Sequence, residues 1–260
     1  SLANRLVGNL KLDPLLEFTI KGPVLELVGQ GLIAITGGNF EVLLDHDPIP
    51  RNKAIEINGN HTLFIGSVRS GCRGYLAVGG QWQIKPWLGS CSTAPQNAAQ
   101  LTPESVIEKG SAITLQVNAR YIPEVDIPDE PPYADTIRIL AGPEYHRIDT
   151  ACIKELLNKR FTISIHSNRM GYRLESALSN YRQPFEIISS GVVPGTIQLT
   201  DSGQLIVLMA DAQTTGGYPR IANVVSADLD LLGQMKPGDD FRFKLVSFND
   251  AYQELEGYKT

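Results

Sequence analysis

Polar side chains surround a glycine pair in the stretch MADAQTTGGYPRIANV, residues 209–224. Asp211 can act as a general base or orient an arginine, and Tyr218 can donate a hydrogen bond to a developing oxyanion. Gly216 and Gly217 permit positive φ, so the amides that follow them can form an anion-binding concavity. The alternative is a hairpin whose Gln and Thr side chains cap their own turn, and composition alone favours it. The other candidates in this stretch are Gln213, Thr214, Thr215 and Arg220.

A second stretch, IHSNRMGYRLE (165–175), places two arginines close to an amide and a glycine. Arg169 and Arg173 can each bind a carboxylate or a phosphate through two hydrogen bonds. Asn168 adds an amide, and Gly171 allows the backbone to approach a ligand closely. The alternative is that both arginines form structural ion pairs, for example with Glu175. The residue types leave both alternatives open.

Other patterns that often mark a site are weaker here. DHD (45–47) precedes a proline and predicts a solvated turn, so no metal site is expected. GQGLIA (29–34) resembles a dinucleotide motif, but the residues that follow do not predict the helix that a pyrophosphate requires. LGSCST (88–93) offers Ser90, Ser92 and Thr93, which we expect to solvate a turn, while Cys91 is expected to pack.

The elements that must position these residues are mostly strands. Apolar and polar residues alternate in FTISIH (161–166) and DFRFKL (240–245), which is the period of a half-buried strand. Two short helices are predicted, at 149–159 with Asp149 or Thr150 as N-cap and at 226–235 with Ser226 as N-cap. Many short strands with frequent turn residues predict a mostly-β sandwich or barrel. The predicted strands are 31–37, 61–68, 74–80, 111–118, 135–140, 160–167, 195–200, 204–210 and 240–248.

The chain is predicted to contain two domains. Four prolines in 121–134 exclude a helix or a central strand and indicate a linker. On either side of it, SGCRGYL (70–76) and SNRMGYR (167–173) share a serine, a glycine and a tyrosine in the same register. We therefore predict two related β lobes, 1–125 and 126–260.

Composition limits the classes of partner. A net charge of −5 over 260 residues argues against nucleic acid, because such a surface needs excess Lys and Arg. No apolar run approaches the ~18–20 residues of a membrane span, so no membrane partner is expected. The cysteines Cys72, Cys91 and Cys152 form no CxxC motif, which predicts a reducing, cytoplasmic setting.

Taken together, the motifs resemble the allophanate hydrolase subunit 2 family, also called the KipA or 5-oxoprolinase C-subunit family. They are also similar to the carboxyltransferase part of biotin-dependent urea carboxylase. The resemblance implies two cyclophilin-like β-barrel lobes with a few short helices and a functional cleft between the lobes. DAQTTGGYPR would form a wall of that cleft, with SNRMGYR beside it. The motifs run in the family's order: LANRLVGN, GPVLELVG, YLAVGG, LGSCST, SNRMGYRLE, GVVPGTIQL, MADAQTTGGYPRIANV and KPGDDFRF.

Two departures from the family pattern concern the first lobe. The family usually carries a TxQDxGRxG stretch before LANxLVGN. This sequence lacks it, so we expect the first strand region to be missing. Cys91 stands where the family commonly has an arginine, which removes one anion-binding charge from that loop.

The resemblance also implies an activity. Related bacterial proteins act with a KipI-like B-subunit and a third hydrolase subunit as an ATP-dependent 5-oxoprolinase, which opens 5-oxo-L-proline to L-glutamate. We expect this chain to be inactive without such partners. The alternatives are a biotin-dependent carboxyltransferase subunit of the urea or allophanate type, and a non-catalytic KipA-like partner of a KipI-like kinase inhibitor. The implied catalytic residues are Arg169, Asp211 and Tyr218, and the implied substrate-binding residues are Asn168, Arg173, Gln213, Thr214, Thr215, Gly217 and Arg220.

Overall fold

The structure is a computed structural model that describes residues 1–92, 107–117, 135–181, 185 and 187–257, with the backbone alone for 254–257. The chain divides into two compact units, Ser1–Asp129 and Glu130–Thr260. Strands predominate over helices, which confirms the predicted mostly-β class. The predicted linker at 121–134, as well as Thr93, lies outside the described residues. No helix in the described ranges is long and apolar enough to cross a bilayer.

In its described residues, unit 1 contains one short helix and a sheet with the strand order β1-β4-β2-β3, beside a separate β5-β6 pair. Its elements are α1 (Leu2–Leu6), β1 (Leu16–Thr19), β2 (Val24–Leu44), β3 (Asp47–Pro48), β4 (Ala54–Val78), β5 (Gln81–Trp82) and β6 (Leu115–Gln116).

Two long strands dominate unit 1. β2 and β4 pair antiparallel, and the pairing doubles back, because Ile33 lies opposite both Ile55 and Val78. Gly29 and Gly59 lie opposite each other with φ of 119° and 114°, a conformation that would strain any side chain. The strands therefore curl around a core of Phe18, Ile33, Ile35, Phe40, Val42, Ile57, Leu63, Ile65 and Leu76.

The sequence prediction divided these long strands wrongly. The separate strands predicted at 31–37, 61–68 and 74–80 are segments of β2 and β4. The glycines between them were interpreted as turns, although several lie within the bent strands. Within 111–118, only Leu115–Gln116 is a strand among the described residues.

Unit 2 contains a seven-stranded sheet with the order β8-β15-β7-β14-β11-β12-β9, in which only β7 and β15 run parallel. A separate two-stranded ribbon pairs β10 with β13. The strands are β7 (Thr136–Ala141), β8 (Arg160–Thr162), β9 (Gly171–Arg173), β10 (Ser190–Gly191), β11 (Thr196–Leu199), β12 (Leu205–Leu208), β13 (Thr215–Gly216), β14 (Arg220–Val224) and β15 (Asp240–Leu245). The helices are a 3₁₀ turn (Tyr145–Arg147), α2 (Thr150–Asn158), α3 (Ser226–Gly233) and α4 (Phe248–Gly257).

The seven-stranded sheet closes on itself. Its edge strands β8 and β9 are joined by an Ile163–Leu174 bridge. Glu175 N donates to Thr162 O at 3.0 Å, and Ser164 N donates to Arg173 O at 2.9 Å across the same seam. Unit 2 is therefore a barrel with no free edge along this seam. Its interior core includes Ile137, Ile139, Phe161, Tyr172, Leu174, Ile197, Leu199, Val207, Phe241 and Phe243.

The helices of unit 2 confirm two predictions and correct one. α2 and α3 form where apolar periodicity predicted them, and Cys152 and Leu156 bury the apolar face of α2. Asp149 occupies the N-cap position of α2 without a side-chain capping bond. Ser226 is wrong as the cap of α3, because Val225 holds the cap position and Ser226 is the first helical residue.

Strand alternation places polar residues on the outer face of the barrel. Tyr172, Ile197 and Val207 point into the core, so their neighbours along each strand point outward. Cross-strand register then aligns Arg173 with Ile206, Ile206 with Gln198, and Gln198 with Arg220. We call these four residues the outer row.

Candidate functional site

A tight turn presents Arg169. The predicted strand 160–167 ends early, because the chain already turns at residues 165–166, where Ser167 N donates to Ser164 O at 3.0 Å. Asn168 N donates to Gly171 O at 3.1 Å, and the Asn168 side-chain oxygen accepts from Met170 N at 2.8 Å. Ser167 Oγ accepts from Arg173 N at 3.1 Å, which closes the base of the turn. Asn168 is therefore used at least in part to shape the backbone that carries Arg169.

Arg169 and Asp211 form a bidentate ion pair. Arg169 Nε lies 2.6 Å from Asp211 Oδ2, and Nη2 lies 2.9 Å from Oδ1. The backbone adds a bond of 2.9 Å from Asp211 N to Arg169 O. The side chains are 38% and 26% exposed, so the pair is accessible from solvent. Of the two functions predicted for Asp211, the geometry matches the orientation of an arginine, because both carboxylate oxygens accept from the guanidinium.

The glycine pair does not adopt the predicted conformation. Neither Gly216 nor Gly217 has positive φ, so the expected anion-binding concavity is wrong. Instead Gly216 lies in β13, which pairs with β10, and Thr214 O accepts from Val192 N at 3.0 Å. The glycine allows close packing here, because a Cβ on Gly216 would approach Gln198 Nε2 to 2.4 Å.

The polar residues around the glycine pair face solvent. Gln213, Thr214 and Thr215 are exposed, and their side chains make no hydrogen bond to any described residue. The turn-capping alternative is therefore not observed either. The Tyr218 ring is 43% exposed and its hydroxyl also lacks a described partner. This segment thus presents several hydrogen-bond donors that have no partner among the described residues, on the surface of unit 2.

Arg220 is held by a buried acid. Its Nη2 and Nε lie 2.8 and 3.0 Å from the Glu144 carboxylate, which also accepts from Arg220 N at 2.8 Å. Arg220 Nη1 donates to Gly191 O at 3.1 Å. The hydrogen bond from Arg220 holds the pKa of Glu144 below its usual value. Arg220 therefore ties the β10–β13 ribbon to the 3₁₀ turn, a role the sequence did not indicate because Glu144 lies in a loop without a motif.

Of the three arginines predicted for the site, Arg173 has the fewest side-chain partners among the described residues. Its side chain is exposed on the outer row, and it forms no ion pair with Glu175 or any other described residue. The structural alternative predicted for it is therefore wrong. Arg173 can bind an anion without first releasing an internal partner.

The chain is similar to a known protein family along most of its length. Residues 1–245 match the family described as carboxyltransferase domain, subdomain A and B. The chain belongs to this family. It is 34% identical over 250 residues to the 5-oxoprolinase C-subunit of Escherichia coli strain K12, which covers 96% of this chain and 81% of that protein. The corresponding C-subunit of Haemophilus influenzae is 33% identical over 249 residues, covering 95% and 80%.

The fold of the chain is also similar to part of a solved structure. The crystal structure of Kluyveromyces lactis urea carboxylase matches with a TM-score of 0.86 and 26% identity, covering 99% of this chain and 25% of that one. The family resemblance found from the motifs is thus confirmed. This carboxyltransferase-domain chain spans only a quarter of the length of that urea carboxylase.

Within this carboxyltransferase-domain chain, the structure brings the nominated residues into two groups. The turn group joins Arg169 to Asp211, with Asn168 in the same turn. The outer row aligns Arg173 with Arg220, beside the ribbon that contains Thr215. The predicted cleft between the lobes stays a prediction. Two residues were missed from the sequence: Gln198, which lies in the outer row, and Glu144, which binds Arg220.

Proposed function

We propose that this chain is a component of an ATP-dependent 5-oxoprolinase complex, which opens the lactam of 5-oxo-L-proline to give L-glutamate. The observation that carries the proposal is its 34% identity to the Escherichia coli 5-oxoprolinase C-subunit over 96% of this chain and 81% of that protein. An alignment of that extent includes both candidate stretches, 165–175 and 209–224. The main sequence prediction is thereby favoured over its alternatives.

The surface chemistry of unit 2 supports this assignment. 5-Oxo-L-proline carries a carboxylate and a cyclic amide. Arg173 is an exposed cation suited to the carboxylate, while Gln213, Thr214 and Tyr218 offer uncommitted donors for the amide oxygen. Arg169, held by Asp211, adds a fixed positive group. We assign these residues to binding and positioning the substrate.

ATP is assigned to the complex rather than to this chain alone. Phosphorylation of the amide oxygen would supply the leaving group that an unstrained lactam lacks. A triphosphate needs several uncommitted cations, whereas Arg169 and Arg220 already hold carboxylates and the sequence has no phosphate loop. The candidate residues therefore do not fit ATP by themselves.

Partner subunits are part of the proposal. Both bacterial relatives are named as subunits, which supports an assembly. We propose a KipI-like B-subunit and a third hydrolase subunit as the partners, and no activity from this chain alone. We also propose a cytoplasmic location. Cys72, Cys91 and Cys152 form no disulfide within the described part of the chain, whereas secreted proteins commonly pair their cysteines.

A second candidate function is carboxyl transfer. The match to Kluyveromyces lactis urea carboxylase, with a TM-score of 0.86, favours it. Biotin would then be attached outside residues 1–260, because these residues contain no AMKM-type attachment site. The exposed donors named above would face a cyclic urea instead of a lactam.

The deciding experiment measures ADP release driven by 5-oxo-L-proline. The chain is reconstituted with the subunits encoded beside its gene, and each subunit is omitted in turn. We expect substrate-dependent ADP that disappears when this chain is left out. A stable complex that releases no ADP would contradict the proposal. Dependence on bicarbonate and biotin would then indicate carboxyl transfer, and its absence a KipA-like regulatory role.

A further inference from the structure

Gln198 lies at the centre of the outer row but is hidden from solvent. It sits in β11 between Ile197 and Leu199, both of which point into the barrel core. Gln198 therefore points to the opposite face, next to Ile206 on β12 and Arg220 on β14. Only 2% of the residue is exposed.

The amide of Gln198 is not satisfied. Its Nε2 atom is buried and has no hydrogen-bond partner in the described part of the chain. Two other buried polar side chains of unit 2 do have partners: Thr196 donates to Asn223 at 2.9 Å, and Asp228 binds Arg138 at 2.6 Å, whereas the Tyr181 hydroxyl is likewise without a described partner. A buried donor without an acceptor costs about 1–3 kcal/mol. A buried donor of this kind can be satisfied by an acceptor that is supplied from outside, such as a substrate.

A small, separate element covers this amide. The β10–β13 ribbon pairs only Ser190 with Gly216 and Gly191 with Thr215. Gly216 lies directly against the amide, since a Cβ there would come within 2.4 Å of Gln198 Nε2. Besides this pairing, the ribbon is held by the bond from Val192 N to Thr214 O and the bond from Arg220 Nη1 to Gly191 O, so few bonds must break for it to move aside.

The carboxamide of a glutamine is complementary to the amide of a lactam, because the donor of each group can face the acceptor of the other. The glutamine carboxamide presents one donor and one acceptor side by side in a plane. A lactam ring forces the amide to be cis, so its N–H and C=O also lie on one edge. Open-chain secondary amides are trans, because the cis form costs ~2.5–4 kcal/mol, and they present these groups on opposite sides. Of these two kinds of secondary amide, only the cis amide can therefore form both hydrogen bonds with one glutamine.

We propose that Gln198 is a specificity-determining residue that binds the cis-amide edge of the lactam after the β10–β13 ribbon moves aside. This inference rests on the proposed function and names the group that recognises its substrate. Arg173, in the same row, is placed to take the substrate carboxylate. The recognised chemistry is a cyclic cis amide, which the ureido ring of biotin shares.

The test uses the reconstituted complex and two Gln198 variants. Gln198→Glu removes the donor with almost no change of shape, and Gln198→Leu removes both polar groups. Each should raise the KM for 5-oxo-L-proline by about tenfold, with a smaller change in kcat. The matched control is Gln204→Leu, because the Gln204 amide already has a partner in Leu174 O at 3.3 Å. It should leave both constants unchanged.

A methylated probe separates recognition from a structural effect. N-methyl-5-oxo-L-proline keeps the ring and the carboxylate but cannot donate from nitrogen. Because its carbonyl can still accept from Gln198 Nε2, its inhibition constant should rise less in Gln198→Leu than the KM for 5-oxo-L-proline, which loses two hydrogen bonds. Equal changes for both compounds, or an unchanged KM, would overturn the proposal. D-biotin as a competitor distinguishes the two sources of a cis edge: inhibition by biotin that is lost in Gln198→Leu, together with an unchanged KM for 5-oxo-L-proline, would assign the residue to a cyclic urea and overturn lactam recognition.

Hydrogen exchange of the wild-type complex tests the inference even if the Gln198 variants do not fold. Hydrogen exchange of the complex should change at residues 213–217 when 5-oxo-L-proline is added, because the ribbon must move. No change there would also overturn the inference. Absence of turnover in the wild-type complex would instead show that the proposed function itself has failed, and this inference would fail with it.

Discussion

At the scale of single residues, the Arg169–Asp211 pair offers a direct test. Arg169→Ala removes a positive group that is held by two hydrogen bonds and is accessible to solvent. We expect kcat/KM for 5-oxo-L-proline to fall by about tenfold or more. Arg169→Lys should recover little of that activity, because an ammonium cannot reproduce the bidentate geometry. The measurement is steady-state kinetics of the assembled complex.

The control for this pair is an exposed arginine elsewhere. Arg69 faces Glu41 at 3.6 Å in unit 1, and Arg69→Ala should leave kcat/KM unchanged. Asp211→Asn should lower activity in the same direction as Arg169→Ala, and the double variant should lose less than the product of the two effects. If Arg169→Ala retains full activity, Arg169 does not belong to the site.

The identities of these residues could be predicted, but their partners could not. Arg169 and Asp211 were both nominated, yet the sequence places them far apart, and only the β9–β12 pairing brings their turns together. Glu144 binds Arg220 across a similar gap. Gln198 looks like an ordinary strand residue in GTIQL, and its importance depends on the ribbon that packs over it. Side-chain pairing depends on tertiary register, which residue types do not specify.

At the scale of elements, Glu155 connects helix α2 to the loop at 179–180. Its carboxylate accepts from Ser179 N and Asn180 N, each at 3.0 Å, and from Lys159 Nζ at 3.0 Å. Burial by itself raises the pKa of Glu155, but these hydrogen bonds outweigh it and lower the pKa from 4.5 to about 2. Because the folded pKa lies below the unfolded one, the stabilisation is complete above pH ~4.5 and is lost as the pH falls towards 2.

The corresponding variant is Glu155→Gln. We expect it to reduce the free energy of unfolding by about 2–3 kcal/mol at pH 7, because a pKa unit corresponds to ~1.4 kcal/mol. Urea unfolding should show this difference constant between pH 6 and 8 and shrinking below pH ~5. Glu175→Gln, at an exposed site without a described ion pair, serves as the control and should change little. A difference that persists undiminished at pH 3 would contradict the assignment.

Strands and helices differed in how far the sequence could predict them. β7, β11, β12 and β15 and both predicted helices appear where periodicity placed them, within a few residues at each end. β2 and β4 were divided because glycine normally marks a turn, whereas here it allows long strands to bend. The strand predicted at 160–167 is too long because Ser164 and His166 continue the alternation, although the chain already turns at residues 165–166. Local pattern predicts the type of an element better than the point at which tertiary contacts end it.

At the scale of the whole molecule, each unit has its own hydrophobic core. The core around Ile35 belongs to Ser1–Asp129, and the core around Ile139 belongs to Glu130–Thr260. We propose that each unit folds on its own core, in line with the two lobes predicted at 1–125 and 126–260. Trp82 and Trp87 are the two tryptophans of the chain, and both lie in unit 1. Tryptophan emission therefore reports on unit 1, whereas far-ultraviolet circular dichroism reports on both.

Alanine variants of one core residue in each unit test whether the two units unfold separately. Ile139 and Ile35 are both fully buried, and truncating either to alanine should cost about 2–5 kcal/mol. In urea, Ile139→Ala should lower the midpoint of part of the dichroism change but leave the tryptophan midpoint in place. Ile35→Ala should lower the tryptophan midpoint. If Ile139→Ala moves both signals together, the two cores unfold as one cooperative unit, and a lesion in one unit would then weaken the binding residues of the other.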